Sequence, residues 1–376
     1  MPAPEAADPL RILFVLDGSA NTPSARVRAL QYRELLERRK DVRVAFATHR
    51  PPWLTVLQDL ALRWRLPNRV QSWLARRSSR LAKLREPRIV RMAADYDIVY
   101  VVKVPSLTLY ERLSRVKGPM VFMDLNDGLW LPIHRGAGWG DLDRMLALSP
   151  GVICENRYVL EYARKFTRHA YVVHDPPQVE AFDALRGKIT RDPEKIVIGW
   201  LGSTSSCDAL YSIWEPLEAL FAKYPRLHLR LVGAREDRIP RFEKVRFSIR
   251  GHYDQEGMIQ EVMAMDIGLF PLFKVEDALV RGTLKAMVYM SGEAVAVATR
   301  VGENENLIRD GENGMLADGP REWVEKLERL IEDPGLRRRL GRAGLETIRA
   351  KFTRERCLED LLAAFRSGLA GLPDGA

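Results

Sequence analysis

The residues best placed to do chemistry lie between 281 and 314, in RGTLKAMVYMSGEAVAVATRVGENENLIRDGENG. They read as a polar lead-in with two cations, a helix, a short buried strand over 294–298, and a glycine turn at Val301-Gly302-Glu303. Arg281 and Lys285 are four apart. On one helix that spacing puts both cations on the same face near its start. Unpaired backbone N–H groups and the positive dipole end there also favour an anion. A solvated first turn is the competing reading.

Three further stretches carry chemistry-capable groups. IVIGWLGSTSS at 196–206 predicts a buried strand, a Gly-Ser-Thr turn and a helix. Gly202 would let backbone approach a ligand, and Ser203 and Thr204 would offer hydroxyls and N–H groups to phosphate oxygens. No GKS or GKT follows, so this is not a Walker loop. Met123-Asp-Leu-Asn-Asp127 places two carboxylates at a strand end, where they can orient a hydroxyl or act as a base. They can equally serve as turn and cap residues. The first strand leaves through Leu16-Asp17-Gly18-Ser19, and Ser24 is a plausible N-cap with Arg26 and Arg28 near the rim of the site or simply on a surface helix. His134 and His174 are secondary candidates, since single histidines after strands are more often structural.

The elements that must position these groups alternate β and α twice over. Strands are predicted at 11–16, 42–46, 98–102, 120–123, 152–154 and 171–173, then at 196–201, 227–232, 247–249, 267–270 and 294–298. Most are continuous apolar runs, as in sheets covered on both faces. Helical patterns fall at 25–38, 207–224, 254–265, 284–290, 321–332, 335–351 and 353–366. That order predicts right-handed βαβ units and parallel sheets. A polar linker is expected at 182–194. The expected division is a domain over 1–185, a second over 186–350, and a last helix over 351–376 that crosses back to the first. Ligands of such sheets sit beyond the strand carboxyl ends, so the cleft between domains is the default site.

Length and composition narrow the class. The 376 residues suit two domains. No apolar run approaches the roughly 20 residues of a membrane span. The N-terminus lacks the basic and apolar regions of a secretory signal, and three scattered cysteines argue against a disulfide framework or zinc site, so a reducing cytoplasm is the simplest setting. No metal-ligand cluster is readable.

The formal charge of +9 is local. Residues 60–91 hold ten Lys or Arg and one acid, Glu86; elsewhere the charges cancel. Val70, Trp73, Leu74, Leu81 and Leu84 follow helical spacing, interrupted by Arg77, and Leu57, Leu60, Ala61 and Trp64 make a second stripe. Basic amphipathic helices with tryptophans suit an anionic membrane surface. A packed helical excursion with a solvated arginine face is the alternative. Nucleic acid is a third reading, disfavoured because no binding-module signature accompanies the charge.

Taken together, SARVRALQYRELLE, VFMDLNDGLWLP, IGWLGSTSS, MDIGLFPL, LKAMVYM and VGENENLIRDGENGMLA resemble the GT-B glycosyltransferases, specifically the family-4-like group that takes sugars from nucleotide donors. The resemblance covers nearly the whole chain. It implies two Rossmann-like, doubly wound parallel-sheet domains facing across a cleft, with the donor on the C-terminal domain and the acceptor on the N-terminal one. It implies a retaining transfer without metal, in which cations and backbone amides hold the leaving diphosphate. Gly202, Ser203 and Thr204 would approach the diphosphate, and Arg281 and Lys285 would supply its countercharge. Thr283 and Leu284 open the same helix and Glu305 would contact the donor. Backbone near Arg250 would meet the base of a UDP- or GDP-sugar. Gly18 would let the N-domain loop close, and Asp127 would meet the reacting sugar or the acceptor, a glycan or glycolipid of cell-surface polysaccharide synthesis. The chain departs from the family at Val288, where a donor-site glutamate is usual, and at Glu293, where a glycine is usual. A non-catalytic GT-B protein that binds a nucleotide sugar or glycan, or scaffolds a partner transferase, is the rival expectation.

Overall fold

The computed structural model describes residues 8–18, 23–64, 67–132, 138–235, 237, 239, 245–251 and 254–371. The side chains of 23, 58–59, 61–63, 68, 71–72, 75–76, 79 and 204–205 are also outside the description. His134 and His252 fall outside it, and for Thr204 only the backbone is described.

The chain forms two compact units, Met1–Asp175 with Cys357–Ala376, and Pro176–Arg356. Each contains one six-stranded parallel sheet with helices on its faces, the α/β doubly wound architecture expected. The first sheet is built from β1 (Leu10–Leu16), β2 (Val42–Thr48), β3 (Ile98–Val102), β4 (Met120–Leu125), β5 (Gly151–Cys154) and β6 (His169–Val172), in the order β2-β1-β3-β4-β5-β6. Its apolar runs are buried because helices cover both faces; all five residues of β3 and all six of β4 are buried. The helix Arg354–Ala370 closes this core: Phe365 meets Tyr100 and Phe122 edge-on, with ring centroids 5.4 and 4.9 Å away.

The second sheet contains β7 (Ile196–Leu201), β8 (Leu227–Val232), β9 (Phe247–Arg250), β10 (Ile267–Phe270), β11 (Val295–Thr299) and β12 (Met315–Ala317), in the order β12-β11-β10-β7-β8-β9. Successive strands thus run outward from β7 in one direction and from β10 in the other. The switch between β7 and β10 is the place where such a sheet opens to a ligand. In the first unit the corresponding switch lies between β1 and β3.

Several expectations are corrected. The expected linker at 182–194 begins inside a helix, Val179–Leu185, whose Val179 and Phe182 are buried in the second unit's core, so the division falls at Asp175. The single helix at 25–38 is broken: Pro23–Arg28 ends at Ala29 (φ −142°), a 3-10 turn Leu30–Tyr32 follows, then Arg33–Glu37. The helix at 207–224 is a 3-10 stretch, Thr204–Ile213, followed by Trp214–Lys223. Pro216 lies in the first turn of the latter, where its missing N–H costs no helical bond. The three-residue β12, just before the helix expected at 321–332, gave too short an apolar run to declare itself.

Candidate functional site

In the second unit the chemistry gathers at the β7/β10 switch. Leu269 and Trp200 are the last paired residues there. Beyond them the two strands part, and the Tyr289 hydroxyl fills the gap, accepting from the Leu201 N–H at 2.7 Å and donating to the Leu269 carbonyl at 3.0 Å. Gly268 makes room for the Tyr289 ring, since a Cβ there would fall 2.2 Å from it.

Lys285, in the second position of the helix Leu284–Ser291, stands over this gap. Its ammonium is 4.8 Å from the Trp200 ring centroid and 5.1 Å from that of Phe270, the last residue of β10. The side chain is half-buried, and no carboxylate pairs with it among the described residues. Enclosure, and then the nearby positive charge of Arg281, pushes its pKa down to about 7. Thr283, the N-cap, is buried and makes no side-chain cap bond, so the first amides of the helix have no cap acceptor. An ammonium poised to charge, at an uncapped helix start and a sheet switch point, suits an anion such as a diphosphate. The buried Trp200 indole N–H lacks a partner among the described residues.

The remaining candidates of this unit are distributed as follows. Arg281 precedes the helix rather than sharing its first turn with Lys285, and its guanidinium is tied to Asp277. The i,i+4 helical pairing expected for the two cations is therefore replaced by a loop-to-helix approach. Gly202 is required by packing: a Cβ would sit 2.4 Å from the Trp200 ring and 2.7 Å from Ser206 Oγ. Its N–H already donates to the Val232 carbonyl, so it is not a spare amide for phosphate. Ser203 precedes the 3-10 turn and its carbonyl accepts from the Ser206 N–H. Leu284 is half-buried at the helix start. Glu305 is exposed, whereas Glu303 of the same turn is buried and accepts from Asn306. Gly302 (φ +57°) packs against the 278–279 backbone, where a Cβ would fall 2.8 Å from the Leu279 carbonyl oxygen. Arg250 is exposed at the end of β9 and pairs with Glu261 at 2.7 Å. Val288 is buried in the apolar core. Glu293 has φ +57°, the conformation for which glycine is the usual residue, and its carboxylate pairs with Arg186.

A second polar cluster occupies the carboxyl edge of the first sheet. Lys103, just after β3, and Asp127, just after β4, both have left-handed backbone (φ +50° and +56°) and pair at 2.7 Å. Two such non-glycine residues joined by an ion pair mark a strained, over-determined site. The Asp127 N–H donates to Glu155 Oε1 at 2.5 Å. Burial, then the charges of Asp127 and Asp175, pushes the Glu155 carboxyl well above the ordinary carboxylate range. For Lys103 burial opposes the charge, but Asp127 outweighs it and holds the ammonium protonated. Gly18 is buried directly after β1, beside Asp17, which pairs with Arg50.

Arg28 is neither at a rim nor on the surface. It is buried, with Asp124 at 2.7 Å, Asp175 at 2.5 Å and the Val173 carbonyl at 2.8 Å. Tyr100 donates a further bond to Asp124 at 2.7 Å. Burial works against the Arg28 charge, yet Asp124, Tyr100 and Asp175 together outweigh it and keep the guanidinium protonated. Of the two carboxylates in the 123–127 motif, Asp124 is thus structural and Asp127 faces outward. Arg26 is exposed and His174 half-buried beyond β6. Sequence reading missed Lys103, Glu155 and Tyr289. Only the position of Lys103 and Glu155 immediately after strands could have signalled the first two.

Residues 214–363 match a family model described as glycosyl transferase-like. A D-inositol 3-phosphate glycosyltransferase of Thermobifida fusca is 39% identical over 75 residues, covering 19% of this chain and only 17% of that enzyme's length. Among solved structures, Anabaena HepE in complex with UDP-glucose superposes with a TM-score of 0.60 at 16% identity, over 96% of this chain and all of that one. The sucrose-phosphate synthase of Thermosynechococcus elongatus gives 0.66 at 13% identity, again over 96% and all. The chain has the fold of the GT-B glycosyltransferases, and its residues 214–363 are similar to the glycosyl transferase-like family.

Proposed function

We propose that the protein is a retaining, metal-independent glycosyltransferase that moves a sugar from a UDP- or GDP-sugar to a glycan or glycolipid of a cell-surface polysaccharide. The observation that carries this reading is Lys285, enclosed by Trp200 and Phe270 at the β7/β10 switch without a carboxylate partner among the described residues. The donor diphosphate docks against Lys285 and the helix start at Thr283 and Leu284, and Lys285 takes up a proton as the anion arrives. Arg281 exchanges Asp277 for a phosphate oxygen. The 202–204 turn walls the site through the Trp200 contact, and in this reading Arg250 serves the base and Glu305 the sugar. In the transition state, charge that builds on the leaving diphosphate is met by these fixed groups, which stand in for a divalent cation. Asp127, held by Lys103 and Glu155, serves the acceptor hydroxyl, and Gly18 lends its loop room to move. The named relatives support the class: HepE was solved with UDP-glucose, and the T. fusca protein bears a glycosyltransferase name. No helix among the described residues is long and apolar enough to cross a membrane, and a glycolipid acceptor would be met at the inner face of a membrane through residues 60–91.

The test is turnover of a nucleotide-sugar panel, scored by release of nucleoside diphosphate with and without acceptor extracts. Wild-type turnover that Lys285→Ala abolishes, with the melting curve still cooperative, supports the reading. A second reading, a non-catalytic nucleotide-sugar binder, draws on Val288, which puts core packing where the family has a donor-site glutamate. It requires binding by the wild type with no turnover of any donor.

A further inference from the structure

We propose that the outward face of the two helices Pro52–Arg63 and Asn68–Ala93 seats the first unit on an anionic lipid bilayer, lying in its interface rather than crossing it. This deepens the membrane part of the preceding reading and does not depend on the transfer chemistry. The longer helix is divided lengthwise. Leu74, Ser78, Ala82, Glu86, Ile89 and Ala93 are buried, at helical spacing. Val70, Trp73, Arg77, Arg80, Leu84, Arg88 and Arg91 recur every three or four residues on the opposite side, and all are exposed. Arg77 does not break the apolar stripe; it belongs to it, with its guanidinium 5.4 Å from the Trp73 ring centroid. Of the apolar residues read from the sequence, Leu74 joins the interior, where it packs with Leu54 of the shorter helix and the half-buried Leu81.

Two features select a bilayer over a dissolved polyanion. First, the single acid of 60–91, Glu86, is turned inward and bound by Ser106 at 2.6 Å, Thr108 at 3.0 Å and His49 at 3.2 Å. The exposed face of that segment therefore carries cations without an opposing carboxylate. Second, the tryptophans more than half exposed among the described residues are Trp53 (56%) and Trp73 (52%) on these two helices and Trp64 (70%) one residue past the end of the shorter one, together with Leu84 at 75%. A phosphate polymer needs the cations alone. A membrane interface uses both, with indoles and Leu84 in the acyl boundary and arginines among the headgroups.

The experiment is sedimentation of the full chain with phosphatidylcholine vesicles, with and without phosphatidylglycerol, alongside quenching of tryptophan fluorescence by brominated acyl chains. Binding is expected only with phosphatidylglycerol, to weaken with salt, and to be accompanied by quenching. Each cation near such a surface is worth roughly fivefold, so Arg77, Arg80 and Arg88 changed together to Glu should lose at least about a hundredfold. Trp64→Ser with Trp73→Ser should remove most of the quenching and weaken binding at high salt, with circular dichroism unchanged. Binding that ignores phosphatidylglycerol, binding without quenching, or equal affinity for single-stranded RNA that both tryptophan changes leave intact would overturn the proposal. None of these readouts needs turnover, so failure here and failure of the transferase reading are separable.

Discussion

The Lys285 ammonium lies 4.8 Å from the centroid of the Trp200 ring and has no carboxylate within reach among the described residues. Enclosure disfavours its charged form, and the folded-state pKa of about 7 lies below the ordinary lysine value. Between those two values the unfolded chain holds the extra proton, so folding stability rises with pH through that window and is lowest below pH 7. Lys285→Met should therefore raise the melting temperature at pH 6, by roughly 1–3 kcal/mol of stability, and lose that advantage by pH 10. Calorimetric melting at both pH values checks this.

Gly202→Ala should be among the costliest single-methyl changes in the second unit. The new Cβ would fall 2.4 Å from Trp200 and 2.7 Å from Ser206 Oγ, so the indole or the turn must move. A loss of about 1–3 kcal/mol is expected, together with weaker nucleotide binding because Trp200 forms one wall of the Lys285 site. Denaturant titration paired with nucleotide affinity tests both; a variant with wild-type values for each would show that the wall yields freely.

At the carboxyl edge of the first sheet, Asp127→Asn and Glu155→Gln separate two roles. Asparagine tolerates the left-handed backbone at 127, so Asp127→Asn should stay folded and lose at least about a hundredfold in transfer rate. Glu155 has a raised folded pKa. Its contribution to stability is present at acid pH, below the unfolded value, and is lost as pH rises through the folded one. Glutamine mimics the protonated acid and can still accept from the Asp127 N–H, so Glu155→Gln should stabilise the protein at alkaline pH and not at pH 4. Melting curves across pH read the second effect, and initial rates the first.

Arg28→Met should destabilise by about 3–5 kcal/mol, because Asp124 and Asp175 would keep their burial and lose their shared cation. Adding Asp124→Asn should recover part of that loss. Urea unfolding of the two variants would show it; additive losses would mean that the Arg28–Asp124 pair is not coupled.

The sheets were legible in the sequence because strands covered on both faces are continuous apolar runs, and β3, β7, β8 and β10 match their expected bounds. The places where reading failed have separate causes. Arg28, Asp124 and Glu86 are charged residues, and only tertiary pairing, which no local pattern encodes, lets them go inside. Arg281 and Lys285 have helical spacing, but the helix starts at Leu284, so periodicity could not tell a first turn from the loop before it. Glu305 and Glu303 differ by two positions in one turn, and only the folded turn shows that Glu303 is the buried one. The pairing of Lys103 with Asp127 and Glu155 depends on which strands are neighbours, and no local pattern encodes that order.

The most direct test of the anion site is calorimetry of UDP and GDP binding at pH 8, repeated in buffers of different ionisation enthalpy. A diphosphate seated on Lys285 should draw about one proton from solution, since the free amine is mostly neutral there, and Lys285→Met should abolish that uptake and weaken binding. Tight binding with no proton exchange, unchanged in Lys285→Met, would contradict the placement of the diphosphate at the β7/β10 switch.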